Sequence, residues 1–285
     1  MPFFILLTTG LGLLMNCSLL KADPIMLMPV EGKMMVNAVV PDLDRQVFGL
    51  GFPETIGCRE QMWLVNHPEA EIQWQIDENQ GRVSTTWAKE GLIRYTLQLT
   101  PREDYVDVFM TIENLSDSTW HEVFAFNCVS PAKAAGFRDS SLTRTYLSVD
   151  QEAVALANLP RIKGPRPTVG VYPTQAHAER LPPFAQAFEA TNPVLSDGSW
   201  MVVVSEAEDA YMATTTMHAS FMFNNTAFGC IHAAPSFGQI APHSKAVVNN
   251  RVYLSKGALH DFLERYDSYR MPMNGKKEVA KNPVQ

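Results

Sequence analysis

Between residues 71 and 112 apolar and polar side chains alternate with a period of two. Ile72, Trp74 and Ile76 interleave with Glu71, Gln73, Gln75 and Asp77, and after the Glu78-Asn79-Gln80-Gly81 break the pattern resumes with Val83, Thr85 and Trp87. Ile93, Tyr95, Leu97 and Leu99 interleave with Arg94, Thr96 and Gln98. Beyond Pro101-Arg102-Glu103-Asp104, Val106, Val108, Met110 and Ile112 oppose Asp107, Phe109 and Thr111. Successive strand residues point to opposite faces, so this spacing predicts an antiparallel meander with one buried face, closed at Asn114-Leu115-Ser116-Asp117. Residues 120–126, 200–205, 211–217, 228–231 and 245–253 read as further strands. Trp74 is in phase with Ile72 and Ile76 and is expected in the core, whereas Trp120 follows a turn and is expected to be accessible.

Two stretches break the pattern. Residues 150–197 hold Pro160, Pro165, Pro167, Pro173, Pro182, Pro183 and Pro193. Proline cannot donate to a sheet ladder, so this stretch is expected to be an ordered excursion across one face, not central sheet. Leu259, Phe262, Leu263 and Tyr266 fall at i, i+3, i+4 and i+7, the spacing of a helix with one apolar stripe. Ser255 is its candidate N-cap, and Pro272 with Gly275 its stop. The fold class expected is mainly β: a large antiparallel β-sandwich with one C-terminal helix.

The 285 residues are 46% hydrophobic and 19% charged, a globular composition, with a formal net charge of −7. No run of lysine and arginine offers a nucleic-acid footprint. Residues 1–20 carry no charged side chain and 3–15 form an apolar block, so residues 1–22 are expected to be a signal peptide cleaved after Ala22. The protein is then secreted or periplasmic, with no membrane span after signal removal; an uncleaved N-terminal anchor and a lipid anchor on Cys17 are the lesser alternatives. The domain expected covers 23–270, with a polar tail at 271–285. Cys58, Cys128 and Cys230 remain after cleavage. Three cysteines do not make a disulfide scaffold, and each sits in an apolar or strand-like run that suits a buried small side chain.

Residues 106–131 (VDVFMTIENLSDSTWHEVFAFNCVSP) and 228–253 (FGCIHAAPSFGQIAPHSKAVVNNRVY) carry a resemblance to the galactose mutarotase-like superfamily. The first is similar to that family's strand, Asn-x-Ser-Asp turn and strand ending near an aromatic-Asn pair. The second is similar to its late strand, Pro-containing loop, Pro-initiated turn and long return strand. The resemblance implies a β-supersandwich and a saccharide ligand. It does not carry over the mutarotase acid/base pair: the catalytic histidine that precedes the aromatic-Asn pair has no counterpart in residues 123–127, His121 being nearest, and the position of the general-base glutamate falls closest to His232.

Cys230 and His232 share a strand face, and His232 is expected to open a loop of small residues, 233–238, as a base at a strand end. Asn127 beside Phe126, and Asn224-Asn225 before Phe228, pair amides with rings as sugars require. Asn224 and Asn114 also head glycosylation sequons, with a turn the simpler reading for Asn114. Arg144 and Tyr146 share a face near Arg138 and Asp139; they fit either a uronate or sulfate contact or a salt bridge with Asp139. Arg251, Tyr253 and Asn249 repeat that spacing as a candidate site wall. Tyr172, Pro173 and His177 lie in the proline-rich stretch over the expected cleft. No C-x-x-C or spaced histidine pair points to zinc and no Rossmann or P-loop fingerprint appears, so no metal and no cofactor are expected; calcium stays open, since its oxygen ligands leave little trace in sequence.

The combined expectation is an exported saccharide-recognising protein with His232 as catalytic base and Asn127, Arg144, Asn225, Arg251 and Tyr253 as substrate contacts. Any chemistry would be proton transfer of the epimerase or lyase type. The alternative is a non-catalytic carbohydrate-binding or structural cell-envelope protein.

Overall fold

The computed structural model describes residues 23–65, 71–162 and 164–270. The expected signal peptide, Cys17, the helix stop at Pro272 and Gly275, and the polar tail lie outside the described residues. The strands are β1 (Met26–Pro29), β2 (Met35–Val40), β3 (Gln46–Gly57), β4 (Met62–Leu64), β5 (Trp74–Asp77) and β6 (Arg82–Lys89). They continue with β7 (Ile93–Pro101), β8 (Tyr105–Asn114), β9 (Trp120–Ser130), β10 (Thr145–Val149), β11 (Glu152–Ala155) and β12 (Val169–Pro173). The last are β13 (Trp200–Val204), β14 (Ala210–Thr216), β15 (Ala219–Asn225), β16 (Cys230–Ile240) and β17 (Lys245–Lys256); the helices are α1 (Pro183–Gln186) and α2 (Leu259–Arg270).

These strands make two antiparallel sheets. Sheet A has eight strands, in the order β1-β2-β3-β9-β16-β15-β12 with β4 paired to β3; sheet B has nine, in the order β11-β10-β13-β14-β17-β8-β7-β6-β5. The expected meander is β5 to β8, each strand paired with the next. Its alternating apolar set, Val83, Tyr95, Leu97, Leu99, Val106, Val108 and Met110, faces Val36, Phe48, Leu50, Val123, Ala125, Val129 and Ile231 of sheet A in one core. Burying two such faces against each other is the main favourable contribution to folding.

Both outer faces are covered as well. On sheet B, Phe262 and Tyr266 of α2 pack on Trp200, Tyr211 and Tyr253. On sheet A, Leu181, Phe184, Ala185, Phe188 and Ala190 pack on Phe124, Phe126, Phe221 and Phe223. A Cβ at Gly57 would lie 2.5 Å from the Phe124 ring, so glycine lets that ring lie over the sheet.

The stretch at 150–197 contains two strands, β11 and β12, but each lies at the edge of its sheet, so it stays out of the central sheet as expected. Three local expectations are corrected. Pro235 lies inside β16, not in a loop: the β15–β16 register shifts between Ala219 and Phe221, which accommodates the missing donor. Ser255 belongs to β17; at the start of α2 the Ala258 N–H instead donates to Asp261 Oδ2 at 2.7 Å. Trp120 is buried against Trp63, with ring centroids 4.8 Å apart.

Candidate functional site

Alternation along β9 and β16 sends Phe124, Phe126 and Cys128, and Cys230 and His232, to the outer face of sheet A. The ladder pairs Ile231 with Val129 and Ser236 with Phe124, which sets His232 opposite Cys128. The His232 ring stacks on Phe126 at 4.2 Å between centroids and meets Phe223 edge-on at 4.8 Å. Its Nε2 lies 3.2 Å from Cys230 Sγ. The shared strand face of Cys230 and His232 is as expected; the exposed strand end is not. Because β16 runs on to Ile240 and the proline-rich stretch lays Phe184 and Phe188 over this face, His232 is only 1% exposed.

The three groups polarise one another. A hydrogen bond from the Cys128 thiol, opposed by burial and aided by His232, pulls Cys230 down to about 4. Cys128 is pushed well up, by that same contact and by burial. Burial works against protonating His232, but the Cys230 sulfur and Glu54 outweigh it and raise the imidazole above its ordinary value.

The other expected contacts do not join His232 in one cleft. Asn127 points the opposite way, into the core between the sheets, where its amide meets Met110 Sδ at 3.5 Å. Asn225 ends β15 and accepts from the Ala227 N–H at 3.0 Å, a turn closure. Asn114 is fully buried, its amide donating to the Ser118, Ile240 and Ala241 carbonyls, which confirms the turn reading. The Arg144 guanidinium donates to the Gly136, Arg138 and Val204 carbonyls, while Asp139 accepts from the Arg144 backbone N–H at 2.8 Å. Arg144 and Tyr146 do border one shallow pocket, beside His260. Arg251 sits on sheet B, 2.8 Å from Asp107 Oδ1 and over the rings of Tyr105 and Tyr269; Tyr253 lies under α2. These side chains are engaged in holding the fold.

An open groove lies elsewhere, where strands of sheet B hand over to sheet A. Two cavities of about 690 and 830 Å³ adjoin there, sharing Gln175, Asp197, Tyr266 and Arg270. The first is also lined by His177, His218 and Ser236, the second by Asp150, Glu152 and Trp200. Asp197 is fixed by the Ser148 hydroxyl and the Gln151 N–H. His177 is held below its ordinary value, first by burial and then by Arg180, which favours neutral imidazole with donor and acceptor nitrogens. Of these residues, only His177 stood out in the sequence. The others come from six separated segments and share no spacing that links them.

No family model matches the chain, and no curated protein matches it. Solved structures do. The α-N-acetylgalactosaminidase NagBb from Bifidobacterium bifidum aligns over 86% of this chain and 37% of its own, with TM-score 0.51 and 12% identity. The chain thus spans little more than a third of that enzyme's length. A galactose mutarotase related enzyme from Lactobacillus acidophilus aligns over 82% of this chain and 98% of its own, with TM-score 0.44 and 7% identity. A galactose mutarotase-like protein from Lactobacillus casei aligns over 81% and 100%, with TM-score 0.42 and 10% identity. The likeness to galactose mutarotase-like proteins expected from residues 106–131 and 228–253 is therefore met, at the level of fold. At such identities it speaks of fold alone. No helix among the described residues is long and apolar enough to cross a membrane.

Proposed function

We propose that the chain is an exported saccharide-binding protein that holds its ligand in the end groove and does not transform it. The observation that carries this reading is the contrast between two surfaces. The groove combines open volume with exposed Gln175, His218 and Arg270 and half-buried His177, the amide, imidazole and guanidinium groups that sugar hydroxyls require. The sheet A face, by contrast, is filled with phenylalanine, and its histidine meets no substrate-sized space. Proton transfer by His232 to a saccharide therefore has no place in the proposal. NagBb was solved with GalNAc bound, so amino sugars are the first ligands to test. Export rests on the character of residues 1–22.

A glycan array probed with the purified protein tests the reading. Binding to a defined glycan, weakened by His218→Ala and by Gln175→Ala, is expected. NMR of that glycan over hours is expected to show it unchanged. Absence of any glycan binding, or steady conversion of the glycan, would contradict the proposal.

A further inference from the structure

Cys128, Cys230 and His232 form the one cluster of three metal-ligating side chains found among the described residues. Their ligand atoms all lie within 4.8 Å of one another. Zn–S bonds of about 2.3 Å and Zn–N bonds of about 2.0 Å place tetrahedral ligands about 3.5–3.8 Å apart, so the cluster needs only small side-chain adjustments to close on an ion. We propose that these three residues bind a single Zn(II) ion under the proline-rich cover of sheet A.

The chemistry of the donor set selects the ion. Two thiolates and one imidazole suit a borderline-soft cation, and two thiolates neutralise a divalent charge. The resulting centre is neutral, which suits its surroundings of Phe126 and Phe223. With Nε2 turned toward Cys230, the other ring nitrogen makes no hydrogen bond. The Asn127 carbonyl beside it is the kind of acceptor that orients a metal-bound imidazole. Glu54 is the negative charge that acts on both Cys128 and His232, and it is not one of the three clustered ligands. Thiolate and neutral imidazole are the forms that bind, so uptake of the ion releases to solvent the protons that the three ligands carry, that on His232 Nε2 included.

Two rival uses of the cluster fit less well. A Cys230–His232 nucleophilic pair needs room for a substrate, yet Cys230 is 6% and Cys128 8% exposed, and the cavity bordering Cys230 measures about 10 Å³. A disulfide needs close, facing Cβ atoms. In this register Cys230 opposes Ser130, so Cys128 and Cys230 are a diagonal pair, for which Cα atoms stand about 7–8 Å apart, beyond the usual bridging range.

The full chain, stripped with chelator under reducing conditions, would be titrated with Co(II) and then Zn(II). One equivalent of Co(II) per chain is expected, giving a thiolate-to-cobalt charge-transfer band and a tetrahedral visible envelope that Zn(II) abolishes. Cys128→Ser and Cys230→Ser are each expected to weaken uptake by more than about a hundredfold, beyond the effect of losing an outer-shell partner. Cys58→Ser is expected to leave it unchanged. If the serine variants fail to fold, the wild-type spectrum decides, because its charge-transfer intensity counts the bound thiolates. Absence of stoichiometric uptake, a spectrum without thiolate ligation, or folded variants that bind as tightly as wild type would overturn the proposal. So would a Cys128–Cys230 disulfide in the protein as isolated.

Discussion

The two sheets cover their outer faces by different means. Sheet B is covered by α2, a regular helix whose Phe262 and Tyr266 sit on Trp200, Tyr211 and Tyr253. Sheet A is covered by an irregular stretch whose described helical turns are short, the α-helix α1 having four residues, with half-buried Phe184 and Phe188 as its rings. The helical cover packs ring on ring, Phe262 against Trp200, Tyr211 and Tyr253. The irregular cover closes over Cys128, Cys230 and His232, and its ends border the open groove. An irregular segment can be shaped around polar groups that a helix stripe would have to exclude, at some loss of apolar packing.

That contrast is sharpest in stability. Phe262→Ala removes a fully buried ring and is expected to cost about 3–5 kcal/mol in urea unfolding. Phe188→Ala, on the irregular cover, is expected to cost roughly half that, in proportion to its burial. Equal losses would show that the two covers are equally well packed and would remove the distinction. Next in size is Arg251→Leu on sheet B, which loses the Asp107 ion pair and the contacts over Tyr105 and Tyr269. A destabilisation of about 1–2 kcal/mol is expected, with glycan binding unaltered.

A pH measurement probes the Asp139 corner. Burial pushes this carboxyl up, but the Arg144 N–H and the Ser141 and Thr145 hydroxyls outweigh burial and hold it below the usual carboxylate range. A folded value below the unfolded one, about 3.9, means that Asp139 stabilises the fold above that pH. The contribution is lost as pH falls through the depressed folded value. Asp139→Asn is therefore expected to lower stability near neutrality and to flatten the acid limb of the unfolding profile. An acid limb identical to wild type would rule out this role. The smallest expected effect on stability is that of His218→Ala, within about 0.5 kcal/mol, since this exposed groove residue carries no packing.

The same contrast explains what could be read in the sequence. The period of two in residues 71–112 gave β5 to β8, and the spacing of Leu259, Phe262, Leu263 and Tyr266 gave α2, because a regular element writes its buried face into the chain. The irregular cover writes no period, so β12 inside it went unseen and Pro235 suggested a loop where β16 continues. The Cys230–His232 pair was legible as two residues on one strand face. Its closure under phenylalanine was not, nor was the approach of Cys128, because both depend on which strands become neighbours. Asn127 illustrates the same limit: its place beside Phe126 is local, but alternation turns the two to opposite faces. The groove was almost wholly illegible, since the sheet crossover assembles it from distant segments.

The central claim is that saccharide binds in the end groove, apart from the sheet A face and from the arginines of sheet B. Isothermal titration of one array-selected glycan against wild type, His218→Ala and Arg251→Leu tests it most directly. Loss of at least about tenfold in affinity, or about 1.4 kcal/mol, is predicted for His218→Ala, with Arg251→Leu matching wild type. Full affinity in His218→Ala together with loss in Arg251→Leu would contradict it.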